Sequence, residues 1–183
     1  MGIPNIQVGG WLGKPAPGFL ARLILVDIRD VVRIDLPTTP LPNYTLKSNA
    51  ILYKPGTLFH LIRFPSKECT LTEEQDETGD GMLYTPALSA KVPRNTPDLA
   101  AWIATHQGKR WLAMWKERSG LMGVAGEIGN GLALSVSRSI TDQNTTLLSL
   151  AGQYTHPYYY IPKMPQIELP SGFSPGFSSG FGK

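Results

Sequence analysis

Short runs of alternating or continuous apolar residues, punctuated by Gly and Pro, occupy most of this chain. Leu20 to Ile28 predicts a strand, and Thr57 to Phe64, closed by Pro65, predicts another. Cys69 to Glu74 and Met82 to Val92 predict the arms of a long hairpin within 66–92, turning at Glu77-Thr78-Gly79-Asp80-Gly81. In the return arm Met82, Tyr84, Pro86, Leu88, Ala90 and Val92 share one apolar parity, so one face is expected to be covered. Pro86 points to a bulge or an edge, because it lacks the N–H that a ladder uses. Further strands are predicted at Arg110 to Lys116 (apolar on both faces), Leu121 to Ile128, Leu132 to Ser139, Thr145 to Ala151 and Tyr154 to Ile161.

A 3.6-residue period occurs once. Leu99, Trp102, Ile103 and His106 fall on one face of a helix predicted over 97–107. Asn95-Thr96-Pro97-Asp98 supplies a capping side chain, Pro in the first turn and an acid beside the positive end of the dipole; Gly108 ends the element. Strands at short intervals around one helix predict a mainly β fold, a β-sandwich or β-barrel with one flanking α-helix. The organisation read from the pattern is an N-terminal arm over 1–21, a β-sandwich domain over 22–162 and a C-terminal Gly/Phe-rich arm over 163–183. In that last arm Phe173, Phe177 and Phe181 recur every four residues among Gly and Pro that forbid a stable helix. Burial of these rings on a neighbouring copy is one reading of the arm, worth about 1.5–3 kcal/mol each, and a free tail is the other. Tyr158 and Tyr160 offer further aromatic surface for core or contact.

Length and composition narrow the classes. One domain with arms fits 183 residues. Nineteen Gly and sixteen Pro exclude a helical bundle, and one Cys excludes an intrachain disulfide framework or a Cys-based zinc cluster. No apolar stretch approaches the ~18 residues of a membrane span, and no secretory leader is read, so a reducing cytoplasm without membrane contact is expected.

The sequence holds no catalytic constellation. His60, His106 and His156 stand in no metal-ligand spacing with one another, with Cys69 or with a carboxylate, and His60 is expected to be a satisfied core or interface residue. The glycines from Gly120 to Gly131 fit no phosphate-binding fingerprint and are expected at turns and strand crossings. No enzyme activity and no cofactor or metal are expected.

Charge is distributed unevenly. Glu68, Glu73, Glu74, Asp76, Glu77 and Asp80 are six of the fourteen acids, fall within thirteen residues and have no base among them. Seventeen bases therefore face eight acids in the rest of the chain, which carries a net charge of +3 as a whole. The block is open to two readings: a solvated turn, or, in an assembly, the wall of a channel that repels DNA phosphates. Its spacing does not match an EF-hand loop.

The order of elements (a Gly/Pro-rich arm, strands, a long hairpin, one short helix, then more strands) resembles the tail-tube proteins of tailed bacteriophages and related injection machines. The segment Gly126-Glu-Ile-Gly-Asn-Gly131 and the run from Ala151 to the tyrosines Tyr158 to Tyr160 add to that resemblance, which covers about half of the chain. It implies a structural virion protein that forms rings, hexameric in the family, stacked head to tail into a tube. It further implies an inner barrel with an acidic lumen, here Glu73, Glu74, Asp76, Glu77 and Asp80. The implied partners are copies of the chain, other tail proteins, and DNA in transit without specific binding; the location is the virion tail. A single-ring tail terminator, neck or baseplate-hub subunit is the alternative within the same class. A carbohydrate- or protein-binding β-sandwich using Trp102, Trp111 and Trp115 is the alternative outside it.

Overall fold

Two strands apolar on both faces lie at the centre of the molecule: β1 (Leu20–Asp27) and β7 (Arg110–Glu117). They pair antiparallel, with Ile24 opposite Met114 and Leu25 opposite Ala113. The computed structural model describes residues 18–37, 44–79, 81–140 and 144–165. The arms predicted over 1–21 and 163–183 fall largely outside these residues, and so do Asp80, Phe173, Phe177 and Phe181.

The remaining elements are β2 (Val31–Ile34), β3 (Ile51–Tyr53), β4 (His60–Ile62), β5 (Cys69–Thr78), β6 (Gly81–Pro93), α1 (Pro97–Thr105), β8 (Met122–Ala125), β9 (Leu132–Ile140), β10 (Asn144–Ala151) and β11 (Tyr159–Tyr160). The fold is mainly β with one α-helix, as the pattern predicts. The main sheet runs β11-β8-β7-β9-β10-β6-β5, with β1 joined to β7 on one side and β4 on the other. A second sheet pairs β2 with β3.

This arrangement explains the doubly apolar strands. One face of β1 and β7 (Leu23, Leu25, Trp111, Ala113, Trp115) packs on Cys69, Leu88, Ala90, Leu132 and Leu150 from β5, β6, β9 and β10. The other face (Ile24, Val26, Leu112, Met114) packs on Val31, Leu46, Ala50, Tyr159, Ile161 and Met164. A middle layer covered on both sides has no polar parity to show. Trp111 and Trp115 are fully buried. Backbone comes so close to the Trp115 ring at Gly123, within β8, that a Cβ there would overlap it.

Helix α1 starts as its sequence dictates. The Thr96 hydroxyl accepts from the Leu99 N–H at 3.2 Å, and Pro97 occupies the first turn. It ends at Thr105, two residues before the predicted boundary, because the His106 N–H turns back to the carbonyls of Trp102 and Ile103. Gly108 then takes a φ of 71°. The helix lays Leu99 and Trp102 beside His60 and Ile62 of β4 and Leu148 of β10 around an open cleft of about 590 Å³.

Strands β5 and β6 form the long hairpin. Their register is unbroken from Cys69 opposite Ala90 to Thr78 opposite Gly81. The outgoing arm thus runs four residues past the predicted end at Glu74, closed by the Thr78 hydroxyl on the Gly81 carbonyl at 2.8 Å. Strand β10 pairs with β6 only from Thr145 opposite Pro93 to Ala151 opposite Ala87. Pro86 sits one residue past that limit. Tyr84 exchanges both backbone hydrogen bonds with Tyr154, away from β5. Pro86 shares the parity of Tyr84, so its ring nitrogen faces the same side, into the gap between the last β10 row and the Tyr154 bridge. It makes an edge position and no bulge.

Candidate functional site

Four strands, β5-β6-β10-β9, form a continuous antiparallel sheet whose inner face covers the core. The outer face is set by the opposite parity. Its rows read Thr72, Ala87, Ala151, Ala133 and then Thr70, Ser89, Ser149, Ser135. A third row holds Lys91, Leu147 and Ser137. The side chains are short and mostly hydroxylated, and each position is exposed or half-exposed. The alternation in β9 (Leu132, Leu134 and Val136 inward, Ser135 and Ser137 outward) is what creates this face.

Both edges of that sheet are open. Among the described residues the outer edge of β5 has no ladder partner, and β9 beyond its contact with β7 at Leu132 and Ala133 has none on its far side. An open edge ten residues long on β5 and one of seven, 134–140, on β9 are an aggregation liability in a monomer.

The five acids assigned to one wall do not share a face. Glu74 and Asp76 lie on the outer, exposed face, in line with Thr70 and Thr72. Glu73 has the inward parity and is half-buried, and its Oε1 accepts from the Tyr158 N–H at 2.8 Å. Burial pushes the Glu73 carboxyl above its ordinary value, against the lowering effects of the Tyr158 N–H and of His156. Glu77 shares the parity of Glu73 but is exposed, because the ribbon has run past the core. Strand alternation alone separates 73 and 77 from 74 and 76. Asp80 lies outside the described residues.

The two tyrosines assigned to contacts between copies are partly used within the chain. Tyr158 stacks edge-on against Trp115 at 5.1 Å and places its hydroxyl 3.3 Å from that of Tyr160. The Tyr160 N–H donates to the Tyr44 carbonyl at 3.0 Å. Both rings remain half-exposed.

A cluster that the spacing did not reveal joins α1 to β4 and β7. The Trp102 Nε1–H donates to His60 Nδ1 at 3.1 Å, and the rings of His60 and His106 stand 4.8 Å apart against Trp111. His60 is thereby satisfied, as expected of it. Burial, then the charges of His106 and Lys109, pull its pKa down. His156 meets Glu127 at 2.5 Å, beside the root of the ribbon, where Tyr154 bridges to Tyr84. Cys69 is fully buried, and burial pushes its thiol up to about 12, which removes it as a nucleophile at neutral pH. Full burial of Trp111 and Trp115 leaves neither ring a surface on which a sugar could stack.

Among the described residues no three His, Cys, Asp or Glu side chains are placed to hold a metal ion, and no helix is long and apolar enough to cross a membrane. Compared with family models, curated proteins and solved structures, the chain matches none.

Proposed function

We propose that this chain is a structural subunit resembling a phage tail-tube protein, which joins copies of itself edge to edge into a ring around a channel for DNA. The observation that carries the reading is the β5-β6-β10-β9 sheet, open at both edges and lined outside by small hydroxyls with Glu74 and Asp76.

Four antiparallel strands give the sheet one property that matters for closure. β9 and β5, at its two edges, run in opposite directions. Rotation about a channel axis brings the β5 edge of one copy beside the β9 edge of the next, and these edges meet antiparallel. An even strand count per copy thus extends one uniform antiparallel barrel through any number of copies. The joints use the N–H and C=O groups that each monomer leaves unpaired, and no open edge remains.

The outer face then becomes the channel wall. Short Ser, Thr and Ala side chains keep it smooth, and Glu74 and Asp76 give it negative sign. DNA carries one charge per ~1.7 Å of axis, so such a wall repels phosphates at close range and offers no basic groove to hold them. Among the described strand residues Lys91 is the base on this face; it lies beside Glu68, toward the end away from Glu74 and Asp76. DNA would pass without sequence-specific contact.

Negative-stain microscopy of the purified full chain tests the reading: rings or tubes with a central channel support it, and monomers overturn it. Assembled Glu74→Lys/Thr72→Lys particles should retain duplex DNA that wild-type particles release. Equal release would remove the channel role from this face.

A further inference from the structure

Unpaired charges of opposite sign stand at the two ends of the β5-β6-β10-β9 sheet. Beyond the last β10 row the hairpin continues for six residues in each arm, about 20 Å at the usual strand rise. Asp76 and Glu77 are exposed on this ribbon, and Met82, opposite Glu77, is 39% exposed. At the other end Lys67 precedes β5, Arg94 follows β6 and Arg138 lies near the end of β9, all exposed. Ile140, at the end of β9, is 80% exposed.

Among the described residues none of these five charged side chains makes an ion pair. The acids at the basic end are Glu68, next to Lys67, and Asp98 in the first turn of α1. Lys67 and Arg94 also hold left-handed backbone, with φ of 74° and 65°. Non-glycine residues adopt that region only at a cost. Arg94 is held there by its N–H on the Asn144 carbonyl at 2.8 Å. Both basic residues thus stand at the turns that bound the hairpin.

We propose that the ribbon tip of one copy (Asp76, Glu77 and Met82) docks on the Lys67, Arg94, Arg138 and Ile140 end of a copy in the adjacent ring. The occupant is a second copy of this chain because one molecule carries both halves of the match: acids beside an exposed Met at one end, bases beside an exposed Ile at the other. The contact is heterologous, so each docking leaves a free tip and a free basic end, and stacking continues without closing. The inference rests on the ring reading and deepens it: it makes the chain a repeated tube subunit and not a single-ring adaptor.

Charge exchange in the full chain tests this. Asp76→Lys/Glu77→Lys and Lys67→Glu/Arg94→Glu should each cut mean tube length at least tenfold in negative stain and sedimentation, leaving single rings. Joining all four changes in one chain should restore stacking to within about twofold of wild type. Wild-type tube length should also fall with salt, since rim charges are screened beyond about 10 Å at 0.1 M. Tubes of unchanged length in either double variant, or no recovery in the fourfold variant, overturn the axial contact while the ring reading stands. Should a reversed variant lose its near-UV dichroism, Asp76→Asn/Glu77→Gln must still shorten the tubes, and unchanged length overturns the proposal. Wild-type protein that forms no rings sinks the ring reading and this contact together.

Discussion

Glu73 and Pro86 face each other across the β5–β6 ladder, and their row is the border between sheet and ribbon. On one side β10 covers the β6 edge; on the other the hairpin runs on as two strands. Pro86 turns its missing N–H toward the gap between the last β10 row and the Tyr84–Tyr154 bridge, and Glu73 anchors the root of the ribbon through the Tyr158 N–H. Both residues are suited to a place where the ladder is interrupted.

The Glu73 anchor is pH-dependent. Burial raises this carboxyl in the folded state, so folding favours its protonated form. Stability is then greater below the ordinary Glu value of about 4.3 and declines as pH rises through the raised value. Glu73→Gln keeps an oxygen to accept from Tyr158 and removes the charge. We expect a melting temperature about 1–2 °C higher at pH 7, a modest gain because the carboxylate is half-exposed, and no difference at pH 3. A lower melting temperature at pH 7 would contradict burial as the dominant influence on this carboxyl.

Asp27 behaves oppositely. It is 6% exposed and accepts from the Arg29 side chain and backbone N–H, with Lys109 Nζ at 3.4 Å. The hydrogen-bonded guanidinium of Arg29 is the main reason its carboxyl lies well below the ordinary range. That stabilisation is present above about pH 4 and is lost as pH falls through the depressed value. Asp27→Asn should cost about 1–3 kcal/mol by urea denaturation at pH 7, and the gap should narrow below pH 4. A cost independent of pH between 3 and 7 would argue against an ionic origin.

Gly123 tests the packing of the middle layer. A methyl there has no room against the Trp115 ring, and Trp115 is fully buried. Gly123→Ala should destabilise by about 1–3 kcal/mol, with a changed Trp fluorescence maximum. Wild-type stability in that variant would mean that the β7–β8 contact has slack enough to take an added methyl.

The elements most legible in the sequence are those with one strong local cause. The cap at Thr96 with Pro97 places α1, and apolar residues on both parities place β7 in the interior. Val31–Ile34 and Ile51–Tyr53 escape such a reading, because four and three residues are too few to show a period. The tip reads short in the sequence because Glu, Gln and Asp have low strand propensity; pairing with Leu83 and Tyr84 overrides it. In the candidate site, the division of the acids between two faces is available from parity, whereas the meeting of His60 with His106 is not. Those two are brought together only by the docking of α1 beside β4.

The proposed ring joins the open edges of β5 and β9. Electron cryomicroscopy of assembled full-length particles tests it most directly. The predicted map has β5 of each copy antiparallel to β9 of the next, with Thr70, Thr72, Glu74 and Ser135 lining the channel. A map that turns α1 or the β2–β3 sheet to the channel, or leaves the β5 edge in solvent, would contradict it.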